Sequence, residues 1–214
     1  MNSLQDKVLQ NVLSQLHKDA KKSFYKAVIG FIKGKLSGKL TPDHMKEAHL
    51  EMSEEQGKIM YGLIVASQSK NIVEFGTSFG ISTLYLAAAA KDNGGKVITT
   101  ELLQSKCEAA KINFANANLS EYIELREGDA MVTLYENLPE NIDFLLLDGW
   151  KDLYLPLFQM LEPRLIKGTI IITDNTNFKE VKLFLNYLRL KKDKYFSIPL
   201  SIDKGSSEFS VVLN

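Results

Sequence analysis

Two apolar runs in the second half of the chain are each followed by side chains that could bind a metal ion. Asp148 follows the run at 142–147, and Asp174 and Asn175 follow the run at 169–173. Continuous apolar runs of this length are typical of strands buried on both faces of a parallel sheet. Neighbouring parallel strands lie about 5 Å apart, so their ends could bring these oxygen atoms to one cation. Two carboxylates and an amide suit a hard cation such as Mg²⁺.

A lysine lies close to this expected cation site. Lys151 follows Asp148 by three residues and can reach the same point in space. Because a nearby cation disfavours a protonated amine, Lys151 is a candidate general base toward an acidic hydroxyl. Simpler interpretations also fit: a strand-terminal aspartate often caps a helix, Asp-Asn pairs are common in turns, and Trp150 could belong to the core or to an interface.

A glycine-containing segment earlier in the chain is a candidate cofactor site. Gly76 and Gly80 follow an apolar run and precede an alanine-rich helix pattern, so backbone N–H groups could approach a ligand there. Ordinary strand-to-helix turns use glycine in the same way. The spacing lacks the Gly-x-Gly of NAD-binding proteins, which disfavours an NAD-dependent enzyme. Glu74 before the first glycine, and Glu101 at the end of the next apolar run, favour a ligand whose ribose hydroxyls donate to Glu101.

From residue 71 onward, the elements that position these residues alternate between strand and helix patterns. Strands are predicted at 72–75, 96–100, 122–126, 142–147, 169–173, 195–199 and 208–213. Helices are predicted at 54–67, 82–90, 154–165 and 181–190, and a further helix follows the second strand and ends at about 117. Repeated β-α-β units predict an α/β fold, a Rossmann-like, seven-stranded, mostly parallel sheet with helices on both faces. The last two strands have no helix between them and should form an antiparallel edge hairpin.

Residues 1–50 are predicted to form a helical extension ahead of a domain that spans 51–214. Apolar residues recur at three- and four-residue steps up to residue 24, and three glycines at 30–38 then loosen the pattern. The Thr-Pro-Asp sequence at 41–43 is typical of a new helix start. Eight lysines against two aspartates in the first forty residues could indicate RNA contact or a solvated helix face. The extension would serve as a lid or as a homodimer contact.

The glycine segment and its neighbours resemble the first motifs of class I S-adenosylmethionine-dependent methyltransferases. Glu74-x-Gly76-x-x-x-Gly80 is followed by the acid Glu101, and the sequence at 128–130 resembles the loop that borders the adenine. The resemblance implies a cofactor site made by Met52, Glu74, Gly76, Ser78, Gly80, Ser82, Glu101, Gly128, Asp129, Ala130, Asp148 and Trp150. Ser82 would lie near the methionine carboxylate, Glu101 at the ribose, and the 128–130 loop against the adenine.

The strand-end residues closely resemble catechol O-methyltransferase and its bacterial relatives. The residues that carry this resemblance are Asp148-Gly-Trp-Lys151-Asp-x-Tyr and Thr173-Asp174-Asn175. The resemblance implies that Asp148, Asp174 and Asn175 bind the metal and that Lys151 is the catalytic base. It extends from about residue 51, where the sequence resembles the family's pre-motif helix, to the C-terminus. The first forty residues and the loop at 201–208, which offers no certain match to a substrate-contacting acid, depart from the family and leave the acceptor open.

The motifs favour an O-methyltransferase that uses S-adenosylmethionine and Mg²⁺ on a hydroxylated, catechol-like small molecule. An RNA-modifying O-methyltransferase and a non-catalytic cofactor-binding protein stay open as alternatives. The 26 basic and 26 acidic residues balance, and no apolar stretch approaches the ~20 residues of a membrane span. A single cysteine, Cys107, and the lack of a secretory signal favour a cytoplasmic protein. The three histidines all precede the domain, which disfavours a histidine base.

Overall fold

The alternating strand and helix patterns form a seven-stranded sheet between two layers of helices. The computed structural model describes residues 2–38, 41–45, 52–202 and 205–214. The α-helices in these ranges are α1 Lys7–Leu36, α2 Glu54–Ser67, α3 Ile81–Asn93, α4 Gln104–Asn116, α5 Ala130–Thr133, α6 Tyr154–Leu161 and α7 Lys182–Leu190. The strands are β1 Asn71–Phe75, β2 Lys96–Glu101, β3 Ile123–Glu127, β4 Ile142–Leu147, β5 Leu165–Asp174, β6 Tyr195–Ile202 and β7 Gly205–Val212.

The strand order is β3-β2-β1-β4-β5-β7-β6. The first five strands in this order are parallel, whereas β7 pairs antiparallel with both β5 and β6. This confirms the predicted Rossmann-like sheet with an antiparallel edge hairpin. In chain order, β2 and β3 are added on one side of β1, and β4 then pairs with the other side of β1. The strand ends beside this reversal are where open α/β sheets bind ligands.

Each face of the sheet has its own apolar core, and β4 contributes to both. Phe144 and Leu146 lie in the core covered by α1, α2, α3 and α4, whereas Leu145 and Leu147 lie in the core covered by α6 and α7. Successive side chains of a strand point to opposite faces, so a strand buried on both faces needs a continuous apolar run. The interpretation of 142–147 as a doubly buried strand is confirmed.

The first helix is longer than the sequence pattern indicated. Its buried positions recur at alternating four- and three-residue steps: Leu9, Leu13, Leu16, Ala20, Ser23, Ala27, Gly30 and Gly34. Gly30 and Gly34 therefore continue the buried stripe, although the three glycines were expected to loosen the helical pattern. Gly38, at φ +79°, follows the helix in the left-handed conformation that ends many helices.

Other boundaries differ by a few residues. Helix α6 ends at Leu161, short of the predicted 165, because Pro163 opens a 3-10 turn that leads directly into β5. Most of the predicted loop at 201–208 is strand, since residues 201–202 belong to β6 and residues 205–208 to β7. The expected helix start at 41–43 is a 3-10 turn, and His49 and Glu51 lie outside the described residues. None of the described helices combines the length and apolar character that crossing a membrane requires.

Candidate active site

The turn between β1 and α3 has no space for a side chain at either of its two glycines. Gly76 has φ +106°, and a Cβ added there would lie 2.6 Å from the backbone oxygen of Asp148. Gly80 has φ +87°, and a Cβ there would lie 2.4 Å from the ring of Phe114. Glycine at both positions is therefore required by conformation and by space. The packing of Gly76 also fixes the end of β1 against the end of β4.

Glu74 anchors this turn from below. Its carboxylate is fully buried and accepts hydrogen bonds from Ser82 Oγ at 2.5 Å, Thr83 Oγ1 at 2.5 Å and Thr99 Oγ1 at 2.6 Å. Burial raises the pKa of Glu74, and the three hydroxyls act against that shift. The carboxylate thus joins β1, β2 and the first turn of α3. Ser82, which the resemblance places at a methionine carboxylate, here donates to Glu74.

Glu101, at the end of β2, binds the backbone of the same turn. Its carboxylate accepts from the backbone N–H of Ser78 and of Leu103, each at 2.9 Å, and its carbonyl accepts from Gly128 N at 2.9 Å. The end of β2 therefore fixes both the glycine turn and the loop after β3. A carboxylate oxygen has further acceptor capacity, so Glu101 can also accept from a ligand hydroxyl.

The loop after β3 is linked to the turn through Glu101, whose carbonyl accepts from Gly128 N. Gly128 has φ +131°, and the Asp129 carboxylate caps α5 by accepting from Met131 N at 2.8 Å. Ala130 is buried beside the exposed Asp129. Met52 is buried ahead of α2, with 3% of its surface exposed, and it lines a cavity together with Gln56, Asp174 and Ser207.

The end of β4 carries the lysine and its partners. Asp148 N donates to Phe75 O at 2.9 Å, which continues the β1–β4 pairing into the turn. Lys151 Nζ donates to Gly149 O at 2.8 Å and to the Tyr154 hydroxyl at 3.0 Å, and it lies 3.4 Å from Asp148 Oδ1. The Tyr154 hydroxyl in turn donates to the backbone oxygen of Asp174 at 3.3 Å. The ends of β4 and β5 are thus linked through Lys151 and Tyr154, and Trp150 lies half-buried beside them.

The side chain of Asp174 is held by residues that the sequence patterns did not indicate. Its Oδ1 accepts from Gln56 Nε2 at 3.2 Å and from Ser207 Oγ at 2.8 Å, and its Oδ2 accepts from Asn175 Nδ2 at 2.7 Å. Asn175 has the left-handed φ of +59°. Ser207 faces Asp174 because β7 pairs antiparallel with β5 in that register. Such a contact depends on strand register, which no local pattern specifies.

The donor set at these strand ends fits a hard cation. The pKa of Asp148 is raised to about 7, because burial and the charges of Asp174 and Glu74 outweigh the lowering effect of the Lys151 charge. Crowded, partly buried carboxylates are stabilised by a cation between them. Within the described ranges no group of three or more His, Cys, Asp or Glu side chains could hold a metal. A cation here would therefore use Asp148, Asp174, the Asn175 amide and ligands from outside the protein.

Two residue types considered for other chemistry have structural roles. Cys107 is fully buried, and burial raises the pKa of its thiol to about 11, which makes a nucleophilic thiolate unfavourable. His17 lies 3.1 Å from the Tyr85 hydroxyl between α1 and α3, away from the strand ends. His44 packs against Thr41 in the 3-10 turn.

Comparisons with known proteins identify the family of this chain. A family model described as O-methyltransferase matches residues 35–183. The catechol O-methyltransferase of Niastella koreensis is 33% identical over 129 residues, which are 59% of this chain and 58% of that protein. The catechol O-methyltransferase of Mycobacterium tuberculosis is 29% identical over 126 residues, 59% and 57% of the two chains. This chain therefore matches less than two thirds of the length of these relatives.

A solved structure shows the same fold over almost the whole chain. The O-methyltransferase from Bacillus cereus, solved in complex with SAH, superposes with a TM-score of 0.73 at 23% identity and covers 97% of this chain and 91% of its own. At that identity the likeness establishes the fold alone. The family model, by contrast, covers more than half of the sequence and includes the glycine turn and both strand-end motifs. The chain belongs to the O-methyltransferase family.

Proposed function

We propose that this protein transfers a methyl group from S-adenosylmethionine to a hydroxyl of a catechol-like small molecule, with the help of a divalent cation. The observation that carries the proposal is the linked set Asp148, Lys151, Tyr154 and Asp174 beside the glycine turn. The names of the two catechol O-methyltransferase relatives support the acceptor class. The SAH bound to the Bacillus cereus enzyme supports the cofactor.

The cofactor would lie over the glycine turn, with its methyl group carried on an electrophilic sulfonium. Glu101 would accept from the ribose hydroxyls while its backbone contacts keep the carboxylate in place. The loop at 128–130 would border the adenine, and Met52 and Trp150 would close the pocket. Gly76 and Gly80 would keep the turn in the conformation that lets its backbone approach the cofactor.

Asp148, Asp174 and Asn175 would hold the cation, which would orient two neighbouring hydroxyls of the acceptor and acidify one of them. Gln56 and Ser207 fix the Asp174 carboxylate, so its direction does not depend on the ligand. Lys151 would accept the proton from the acceptor hydroxyl through Nζ. The carbonyl of Gly149 and the hydroxyl of Tyr154 hold that nitrogen near Asp148.

The test is methyl transfer to catechol in the presence and absence of metal. Excess EDTA should abolish transfer but leave calorimetric binding of SAH largely unchanged, and Mg²⁺ should restore it. Lys151→Ala should lower turnover by about 10²–10⁴-fold, the usual contribution of a positioned base, whereas Asp174→Ala should behave like metal removal. Lys167→Ala, at an exposed position of β5, is the matched control. Full activity in chelator would exclude the cation, and an active Lys151→Ala would give the base role to another group.

An RNA acceptor is a second candidate, because most lysines of α1 are exposed. Those with exposed side chains are Lys7, Lys18, Lys21, Lys22, Lys33 and Lys35. Phosphate contacts make RNA binding fall steeply with salt. Measured RNA affinity that is weak and independent of salt would remove this candidate, and inactivity on both acceptors would favour a non-catalytic binding protein.

The second half of α1 is proposed to form a homodimer contact. Its large apolar side chains Tyr25, Val28, Ile29, Ile32 and Leu36 are between 44% and 83% exposed. Contiguous apolar surface of this kind is typical of interaction sites. The division into an extension at 1–50 and a domain at 51–214 stays a proposal, since the first half of α1 shares the core of α2 and α3.

A further inference from the structure

A buried lysine in the first turn of α4 has no role in the site described so far. Only 6% of the Lys106 surface is exposed. A buried ammonium is costly unless it is well paired. A cation in the first helical turn also opposes the helix dipole. Burial and the position in the first helical turn both disfavour a charge at Lys106. We therefore expect this charge to interact with a ligand.

The ammonium of Lys106 is directed at the glycine turn. Its Nζ donates to Ser78 Oγ at 3.3 Å and lies 5.4 Å from the centre of the Phe79 ring. Burial lowers the pKa of Lys106, whereas the charges of Glu101 and Asp148 raise it. Among the residues that the structure describes, no carboxylate forms an ion pair with this ammonium. One long bond to a hydroxyl leaves most of its donor capacity unused.

The ammonium and a carboxylate flank the same backbone residue. Ser78 donates through its N–H to Glu101 and accepts through its hydroxyl from Lys106. A hydroxyl between the two charged groups could donate to Glu101 and accept from Lys106. A phosphate is a poorer fit, because Glu101 would repel it.

We propose that Lys106 is a further cofactor-binding residue, which donates a hydrogen bond to the same ribose hydroxyl that donates to Glu101. The inference rests on the proposed function, because it requires a ribose at the glycine turn. The ribose hydroxyl would replace the missing partner of a buried charge. Lys106 would then discriminate for a free hydroxyl at that position of the sugar.

Isothermal titration with SAH and with its 2′-deoxy and 3′-deoxy analogues tests this. Lys106→Met should weaken SAH binding by about 10- to 100-fold, the range for a hydrogen bond to a charged group. With one of the deoxy analogues, wild type and variant should bind within about twofold of each other, and with the other analogue the loss should persist. Lys111→Met, at an exposed position of the same helix, should bind like wild type.

Thermal unfolding of the ligand-free proteins separates this role from a structural one. Lys106→Met should melt at or above the wild-type temperature, because it removes a poorly paired buried charge. Lys106→Gln, which keeps a donor, provides a second variant. Unchanged SAH affinity, or equal losses with both analogues, would overturn the inference and leave the proposed function intact. A wild-type protein that does not bind SAH would overturn both.

Discussion

Replacement of Gly76 by alanine should separate the packing of the glycine turn from its conformation. An L-residue at φ +106° costs at least the roughly 1–2 kcal/mol of a left-handed residue. The added Cβ would lie 2.6 Å from a backbone oxygen, and that atom cannot swing away as a side chain can. Overpacking of this kind costs about 1–3 kcal/mol. Gly76→Ala should therefore lower the free energy of unfolding by about 2–5 kcal/mol.

Two other glycines supply matched controls. Gly94 also has a positive φ, +68°, but an added Cβ would have nothing within 4 Å, so Gly94→Ala should cost only about 1–2 kcal/mol. Gly62 lies exposed inside α2, with no neighbour within 4 Å and no positive φ, so Gly62→Ala should stabilise by up to about 1 kcal/mol. Urea unfolding at equal m-values gives the three numbers. A Gly76→Ala protein that loses no more stability than Gly94→Ala would refute the close approach of β1 and β4.

Three further outcomes are expected. Glu101→Ala should weaken SAH binding by about tenfold or more in calorimetry, since each lost bond to a charged group contributes ~1.5–3 kcal/mol; unchanged affinity would remove Glu101 from the ribose site. Burial would raise the pKa of Glu162, but hydrogen bonds from a lysine and two tyrosines lower it to about 2. Because the folded pKa is depressed, its stabilisation should be present above pH 4.5 and lost toward pH 2. Urea unfolding of wild type and Glu162→Gln should therefore differ at pH 7 and converge near pH 2; a constant difference would contradict this. Ile29→Lys combined with Ile32→Lys should halve the mass in light scattering, whereas Val8→Lys should not; a monomeric wild type would disprove the dimer.

Local sequence patterns predicted the bounds of an element best where each residue type in the pattern has a single structural role. The bounds of α2 and β4 were predicted to the residue, because a capped helix and a doubly buried strand each leave a complete pattern in the sequence. The glycines of α1 were expected to loosen the helical pattern, but Gly30 and Gly34 lie at buried positions of its stripe. Glycine occurs both where helices weaken and where they pack closely, and a local pattern does not distinguish the two.

Sequence alone determined the α/β fold class, the glycine turn and the strand-end positions of Asp148 and Asp174. Tertiary structure decided which groups hold them, since Gln56 and Ser207, which bind the Asp174 carboxylate, lie 118 and 33 positions away from it in the chain. It also placed the ammonium of Lys106 within hydrogen-bond reach of Ser78 in the turn. Composition and periodicity record whether a position is apolar or polar, and this suffices to choose a sheet and its buried faces. The partner of a buried polar group depends instead on strand register and helix packing, which become defined only when distant segments meet.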